Sequence, residues 1–198
     1  HFGENTHTID CTFDVSGGET ALRDAIEAIK EDAENAVREG RGHLILTDEN
    51  QNEKRAAIPM ILATAGIHTY LVEQGLRTFT SLNVRAADCL DTHYFAVLIG
   101  AGATTVNAWL IQEAIADRQA RGLFGDMDLD TCVKRYVEAI NQGLMKIISK
   151  MGIAVISSYR GGYNFEALGL SRSLVGEFFP GMPSKISGIG LLGIQTKV

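Results

Sequence analysis

His43-Leu-Ile-Leu-Thr47 is a short apolar run flanked by helical patterns on both sides. It reads as a buried strand. On its amino-terminal side, Leu22, Ala25, Ile26, Ile29, Ala33, Ala36 and Val37 recur at helical spacing with charges between them, and Gly40 is a helix stop. On its carboxyl side a second helix is predicted from about Ala56 to Glu73, with Pro59 tolerated in the first turn and Gly75 ending it. Phe79-Thr-Ser-Leu-Asn-Val-Arg85 is then a second strand. The alternation continues with a helix over Leu90–Ile99, a strand at Thr104-Thr-Val106, a helix over Ala108–Arg121 and a turn-rich link from Gly122 to Asp128. Asp130 is read as the cap of a long helix reaching about Met151. A further strand is predicted over Ile153–Ile156, and short helices near Tyr163–Leu168 and Leu174–Phe178, the latter capped by Ser171. The Gly-, Pro- and Ser-rich tail from Pro180 reads as a linker.

Strand and helix thus alternate repeatedly, which implies parallel strands joined by right-handed helical crossovers. The expected class is α/β, either a parallel sheet or an incomplete (β/α) barrel-like layer. A chain of 198 residues with 45% hydrophobic and 21% charged content can build one real core. Its net charge of −6 supplies no electrostatic footprint for nucleic acid. The longest apolar candidate for a membrane span, Ile58–Ile67, is broken by Pro59, Thr64 and Gly66. Cys11, Cys89 and Cys132 are odd in number, far apart and without a CxxC pair. That argues against a disulfide framework or a metal site and for free thiols in a reducing cytoplasm.

In parallel α/β folds ligands gather at the carboxyl ends of strands. By this reading those places hold Asp48, then Arg85 and Asp88, then Asn107, then Ser157, Ser158, Tyr159 and Arg160. They form a polar crevice, or else they cap turns and helices and pair with neighbouring acids. Gly188-Ile-Gly-Leu-Leu-Gly193 has the letters of a dinucleotide fingerprint, but too little chain follows it for the helix that such a site needs. Gly100-Ala-Gly-Ala103 reads as a helix stop and tight turn. His68, on an apolar helix, reads as a hydrogen-bonded core histidine, and no HExxH or GxSxG pattern occurs. Lys146, Lys150 and Arg160 complement the dipole of the long helix or meet an anion.

Several blocks in order carry a resemblance: Arg55-Ala-Ala-Ile-Pro-Met-Ile-Leu-Ala-Thr-Ala-Gly-Ile-His68, Glu73-Gln-Gly-Leu-Arg77, Thr92-His-Tyr-Phe-Ala-Val-Leu-Ile-Gly-Ala-Gly102, Tyr136-Val-Glu-Ala-Ile-Asn-Gln-Gly-Leu-Met-Lys146, Ser158-Tyr-Arg-Gly161 and Phe165-Glu-Ala-Leu-Gly-Leu170. Over about Leu44–Leu191 the chain resembles the central domain of glutamate synthase. It departs from that pattern where Glu49 follows Asp48, at Arg85-Ala-Ala-Asp88, and at Ala108-Trp109 after Asn107.

The resemblance implies a non-catalytic linking domain over residues 1–182 and a linker toward an FMN-binding domain over 183–198. The parent would hydrolyse L-glutamine, pass ammonia through an internal tunnel and form two L-glutamates from 2-oxoglutarate and a reductant. It would carry FMN and a 3Fe-4S cluster and draw electrons from NADPH, NADH or ferredoxin. The stretch itself is expected to hold no cofactor, metal or catalytic residue. Its expected partners are the glutaminase and FMN-binding domains of the same chain, with self-association when it is alone through an apolar patch. Asp48, Arg85, Asn107, Ser158, Tyr159 and Arg160 are the candidate interdomain or tunnel-facing residues. The competing readings are an autonomous α/β module binding a phosphate or nucleotide at the strand ends, and a free-standing hydrolase or lyase.

Overall fold

A computed structural model describes Gly3 and residues 5–198. Four short strands form the central sheet: β1 (Thr6–Asp10), β3 (His43–Thr47), β5 (Ser81–Arg85) and β6 (Thr105–Asn107). All neighbours are parallel and the spatial order is β1-β3-β5-β6. Three helices make the crossovers: α1 (Ala21–Arg38), α2 (Met60–Glu73) and α3 (Thr92–Gly100). A sheet wound in sequence order by crossovers of one hand carries its helices on one face. The architecture is α/β, as the alternation of elements requires, and takes the form of an open parallel sheet.

The register shows how the sheet divides its side chains. Strand partners in a parallel ladder point the same way, and successive residues alternate. One face therefore carries Ile9, Leu46, Val84 and Val106 in one row and His7, Leu44 and Leu82 in the next. Ile9, Leu44, Leu46, Leu82 and Val84 are buried there with Leu22 and Ile26 of α1 and Leu62, Ala65 and Leu71 of α2. His7 bonds Asp32 of α1 through Nε2 at 2.9 Å. The other face carries Thr6, His43 and Ser81, then Thr8, Ile45, Asn83 and Thr105, then Asp10, Thr47, Arg85 and Asn107. It is polar, with Thr8, Arg85 and Thr105 exposed and most of the others half-buried.

Local chemistry fixes the helix ends. The Tyr94 amide donates to Asp91 Oδ1 at 2.8 Å and opens α3. The long helix α5 (Leu129–Lys150) is capped by Asp128, which accepts from the Thr131 amide at 2.7 Å, so Asp128 and not Asp130 does this work. Gly152, at φ 72°, ends it, because only glycine takes that conformation without strain. Ser171 caps α7 (Arg172–Phe178) by accepting from the Leu174 amide at 3.3 Å.

Several expectations are corrected. Strand β1 falls in a stretch that the sequence left unassigned. Residues Arg55–Ala57 are not the start of a helix but strand β4, antiparallel to β2 (Thr12–Asp14); Pro59 cannot donate a backbone hydrogen bond and α2 begins after it. Ile153–Ile156 is not a strand: α6 (Ile156–Tyr159) starts at its end. The helix expected over Ala108–Arg121 is present as α4 (Trp109–Ala120) and packs against α5, and β6 stays an edge strand. Tyr163–Leu168 is not helical; it leads into β7 (Leu168–Leu170), which pairs in parallel with β8 (Ile186–Ile189). The tail expected as a linker is therefore structured over much of its length. After β8 comes α8 (Leu191–Gln195), whose Gln195 accepts from the Leu22 amide at 2.9 Å and donates to Gly18 O at 2.7 Å.

Candidate functional site

The carboxyl end of the sheet is a dense polar rim. Asp48, only 1% exposed, accepts from the Ala87 amide at 2.8 Å and from Trp109 Nε1 at 2.7 Å. Its two oxygens thus pin the loop after β5 and the first residue of α4. Arg85 pairs with Glu49 at 2.8 Å, and Asp10 with Arg55 at 3.4 Å. Asp88 accepts from the Met60 amide at 3.3 Å and from the Tyr94 hydroxyl. Burial pushes the Asp88 carboxyl above its usual range, against the hydrogen bonds that favour its charge. The helix N-termini that could cradle a phosphate here are taken by carboxylates, α2 by Asp88 and α3 by Asp91. A rim holding Asp10, Asp48, Glu49 and Asp88 repels an added anion, which disfavours the phosphate or nucleotide reading.

On the open face a hydrogen-bonded row crosses three strands. His43 Nδ1 and Ser81 Oγ lie 2.8 Å apart, Asn83 Nδ2 donates to Ser81 Oγ at 2.9 Å, and Thr105 Oγ1 donates to Asn83 Oδ1 at 2.8 Å. This row was not singled out from the sequence. Its signal was there, in the strict alternation of Ser81-Leu-Asn-Val-Arg85. Trp109, Glu49 and Tyr94 were likewise missed as partners, since their role depends on loops meeting in space.

The candidate residues fall into two groups at opposite ends of the sheet. Asp48, Arg85 and Asn107 share the carboxyl rim, where the Asn107 carbonyl accepts from the Ala86 amide at 3.0 Å. Ser158, Tyr159 and Arg160 do not join them, because no strand precedes them. Ser158 is exposed, and Tyr159 is 1% exposed with a buried hydroxyl that finds no partner among the described residues. Arg160 Nε donates to Ala103 O at 3.2 Å, on the amino-terminal side of β6.

At that same end Arg77 holds His68. Arg77 Nε donates to His68 Nδ1 at 3.0 Å, which leaves the proton of the neutral ring on Nε2. Burial first, and the Arg77 charge second, lower His68 to about 4. The unfolded chain then binds a proton that the native one refuses between pH 6.5 and about 4. His68 accordingly contributes stability that is full above pH 6.5 and is lost as pH falls through that window. After allowance for partial solvent screening the loss is about 2 kcal/mol. Urea midpoints measured from pH 7.5 to 4.5 should fall more steeply in the native chain than in His68→Gln, whose amide oxygen can still accept from Arg77. Equal slopes would remove His68 from the pH dependence.

The chemistry available is limited. Cys11, Cys89 and Cys132 are buried free thiols; burial pushes Cys89 up to about 12 and Cys11 well above the usual thiol range. No group of three metal-ligating side chains is assembled among the described residues. The glycine tract at 188–193 runs from the end of β8 into a helix, contrary to expectation, but that helix has five residues. A Cβ at Gly188 would overlap the Gly169 carbonyl, and one at Gly193 would lie 2.8 Å from Ile189 Cβ. These glycines serve strand pairing and packing. No helix among the described residues is long and apolar enough to cross a membrane.

Fold and site together define an open-sheet α/β domain with one polar face and rims built of clamps. Residues 1–171 match the family described as the glutamate synthase central domain, and the chain belongs to that family. It is 64% identical over 198 residues to the glutamate synthase [NADPH] large chain of Azospirillum brasilense, covering 100% of this chain and 13% of that one. It is 36% identical over 191 residues to ferredoxin-dependent glutamate synthase 2, chloroplastic, of Arabidopsis thaliana, covering 90% and 12%. It is 35% identical over 183 residues to the glutamate synthase [NADH] of Schizosaccharomyces pombe, covering 92% and 9%. The chain thus spans between 9% and 13% of the length of these relatives.

Proposed function

We propose that this domain works inside a glutamate synthase large chain as a passive spacer between a glutaminase domain and an FMN-binding domain, with the open sheet face forming part of the wall along which ammonia passes. The observation that carries the reading is the polar row His43–Ser81–Asn83–Thr105 on the face turned away from α1 and α2. Parallel sheets are normally covered on both faces, so a neighbour is expected there. The hydroxyl and amide members of this row, Ser81, Asn83 and Thr105, exchange hydrogen bonds with ammonia without acting on it as acid or base. The small share of the relatives' length that the chain spans leaves room for both neighbours. Apolar residues exposed along and beyond α5, among them Val137, Met145, Met151 and Val155, supply a further covered face and a route to self-association of the isolated domain.

The parent reaction in this reading turns L-glutamine, 2-oxoglutarate and a reductant into two L-glutamates. The FMN and 3Fe-4S groups of that reaction do not fit the residues present here. The three thiols are buried and unassembled, and the glycine tract is filled by its own backbone. Both groups are therefore assigned to other parts of the parent.

The test uses a full-length glutamate synthase carrying this domain. Thr105→Phe, at an exposed position on the open face, should raise the free ammonia released per glutamate formed several-fold while the domain stays folded. An unchanged ratio would take the open face out of the ammonia route. Glutaminase or synthase turnover by the isolated chain would overturn the spacer reading itself.

A further inference from the structure

The amino-terminal end of the sheet holds two guanidinium groups with no carboxylate between them. Arg77 donates Nη1 to Thr80 O at 2.6 Å and Nη2 to Gly102 O at 2.8 Å, besides its bond to His68. Arg160 donates to the next carbonyl along, Ala103 O. Two side chains tied to consecutive carbonyls are neighbours, and burial together with the Arg160 charge lowers Arg77 to about 10. Among the described residues neither arginine has an acidic side chain within ion-pair distance, although acids outnumber bases by six in the chain. His68 beside them is neutral near pH 7 and offers no compensating charge.

A guanidinium carries five N–H donors, of which Arg77 uses three and Arg160 one. The terminal amino groups of Arg160 have no partner among the described residues. Two like charges held together in a half-buried place cost free energy unless an anion sits between them. The cluster is also fixed in place: Gly102 and Gly161, both at positive φ, press their backbones on the His68 ring. We propose that Arg77 and Arg160 form a binding site for a small oxyanion, a carboxylate or phosphate group held by paired N–H donors. This site lies at the opposite end of the sheet from the carboxyl rim and does not depend on the ammonia route.

The experiment follows the arginine Nε resonances of the labelled full chain during titration with sodium phosphate and, separately, sodium acetate, each balanced with chloride to constant ionic strength. Saturable shifts at both arginines are expected. A response to phosphate alone assigns a phosphoryl ligand, to acetate alone a carboxyl ligand, and to both an oxyanion site that accepts either. Arg160→Gln keeps a donor for Ala103 O and should weaken binding about tenfold or more. Shifts that never saturate, or that match the chloride control, would overturn the site, and so would unchanged affinity in the folded Arg160→Gln chain. Should that variant fail to fold, the titration of the native chain decides alone.

Discussion

Replacing Gly102 by alanine is expected to destabilise the domain by about 3–5 kcal/mol, enough to unfold much of it at body temperature. Two penalties combine. Gly102 has φ 117°, a conformation that a side chain opposes. An added Cβ would also overlap Nδ1 and Cγ of His68 and lie 2.8 Å from its Cβ. The ring cannot step aside, since Arg77 holds its Nδ1 and Gly161 lies against its other edge. The control is Gly75→Ala, at φ 69° with nothing within 4 Å of the new methyl, which should cost only about 1 kcal/mol. Urea unfolding of both variants measures the difference. A Gly102 variant no worse than the Gly75 variant would mean that the ring is free to move and the cluster is soft.

The second large effect belongs to Asp48. Asp48→Ala removes two charge-assisted hydrogen bonds and leaves the Ala87 amide and the Trp109 indole without their acceptor, at a cost of about 3 kcal/mol. Asp48→Asn keeps one good acceptor and should lose about half as much. The chain has one tryptophan, so its fluorescence reports this contact alone. Emission should move to longer wavelength in the native state of Asp48→Ala as the indole loses its anchor. A stable Asp48→Ala chain with unchanged emission would show that the loops after β3 and β5 are held by something other than this carboxylate.

The legible and illegible parts of the fold separate along physical lines. The runs at His43–Thr47 and Ser81–Arg85, and the helices α1, α2, α3 and α5, carry their apolar pattern within one segment, so period and length identify them. Strand β1 was missed because Thr6-His-Thr-Ile-Asp10 has one buried apolar residue and its partner lies far along the chain. Ile153–Ile156 misled for the converse reason. It has strand composition, yet α4 and α5 lie beyond β6, no ladder extends that edge, and the segment's apolar residues stay partly exposed. That error carried Ser158, Tyr159 and Arg160 to the wrong end of the sheet. The tail from Pro180 looked like a linker because Gly, Pro and Ser recur in it, whereas Gly188 is what lets β8 lie close against Gly169 of β7.

The α/β class and the family were legible in the amino-acid order, because each rests on local spacing and on the succession of segments along one chain. Which side chains meet was settled only by the folded arrangement. It set Asp48 against Trp109, gathered Arg77, Arg160 and His68 around Gly102, and lent α1 an N-terminal partner from Gln195. Such contacts join residues far apart in sequence, and their energy depends on burial and direction, which no spacing along the chain encodes.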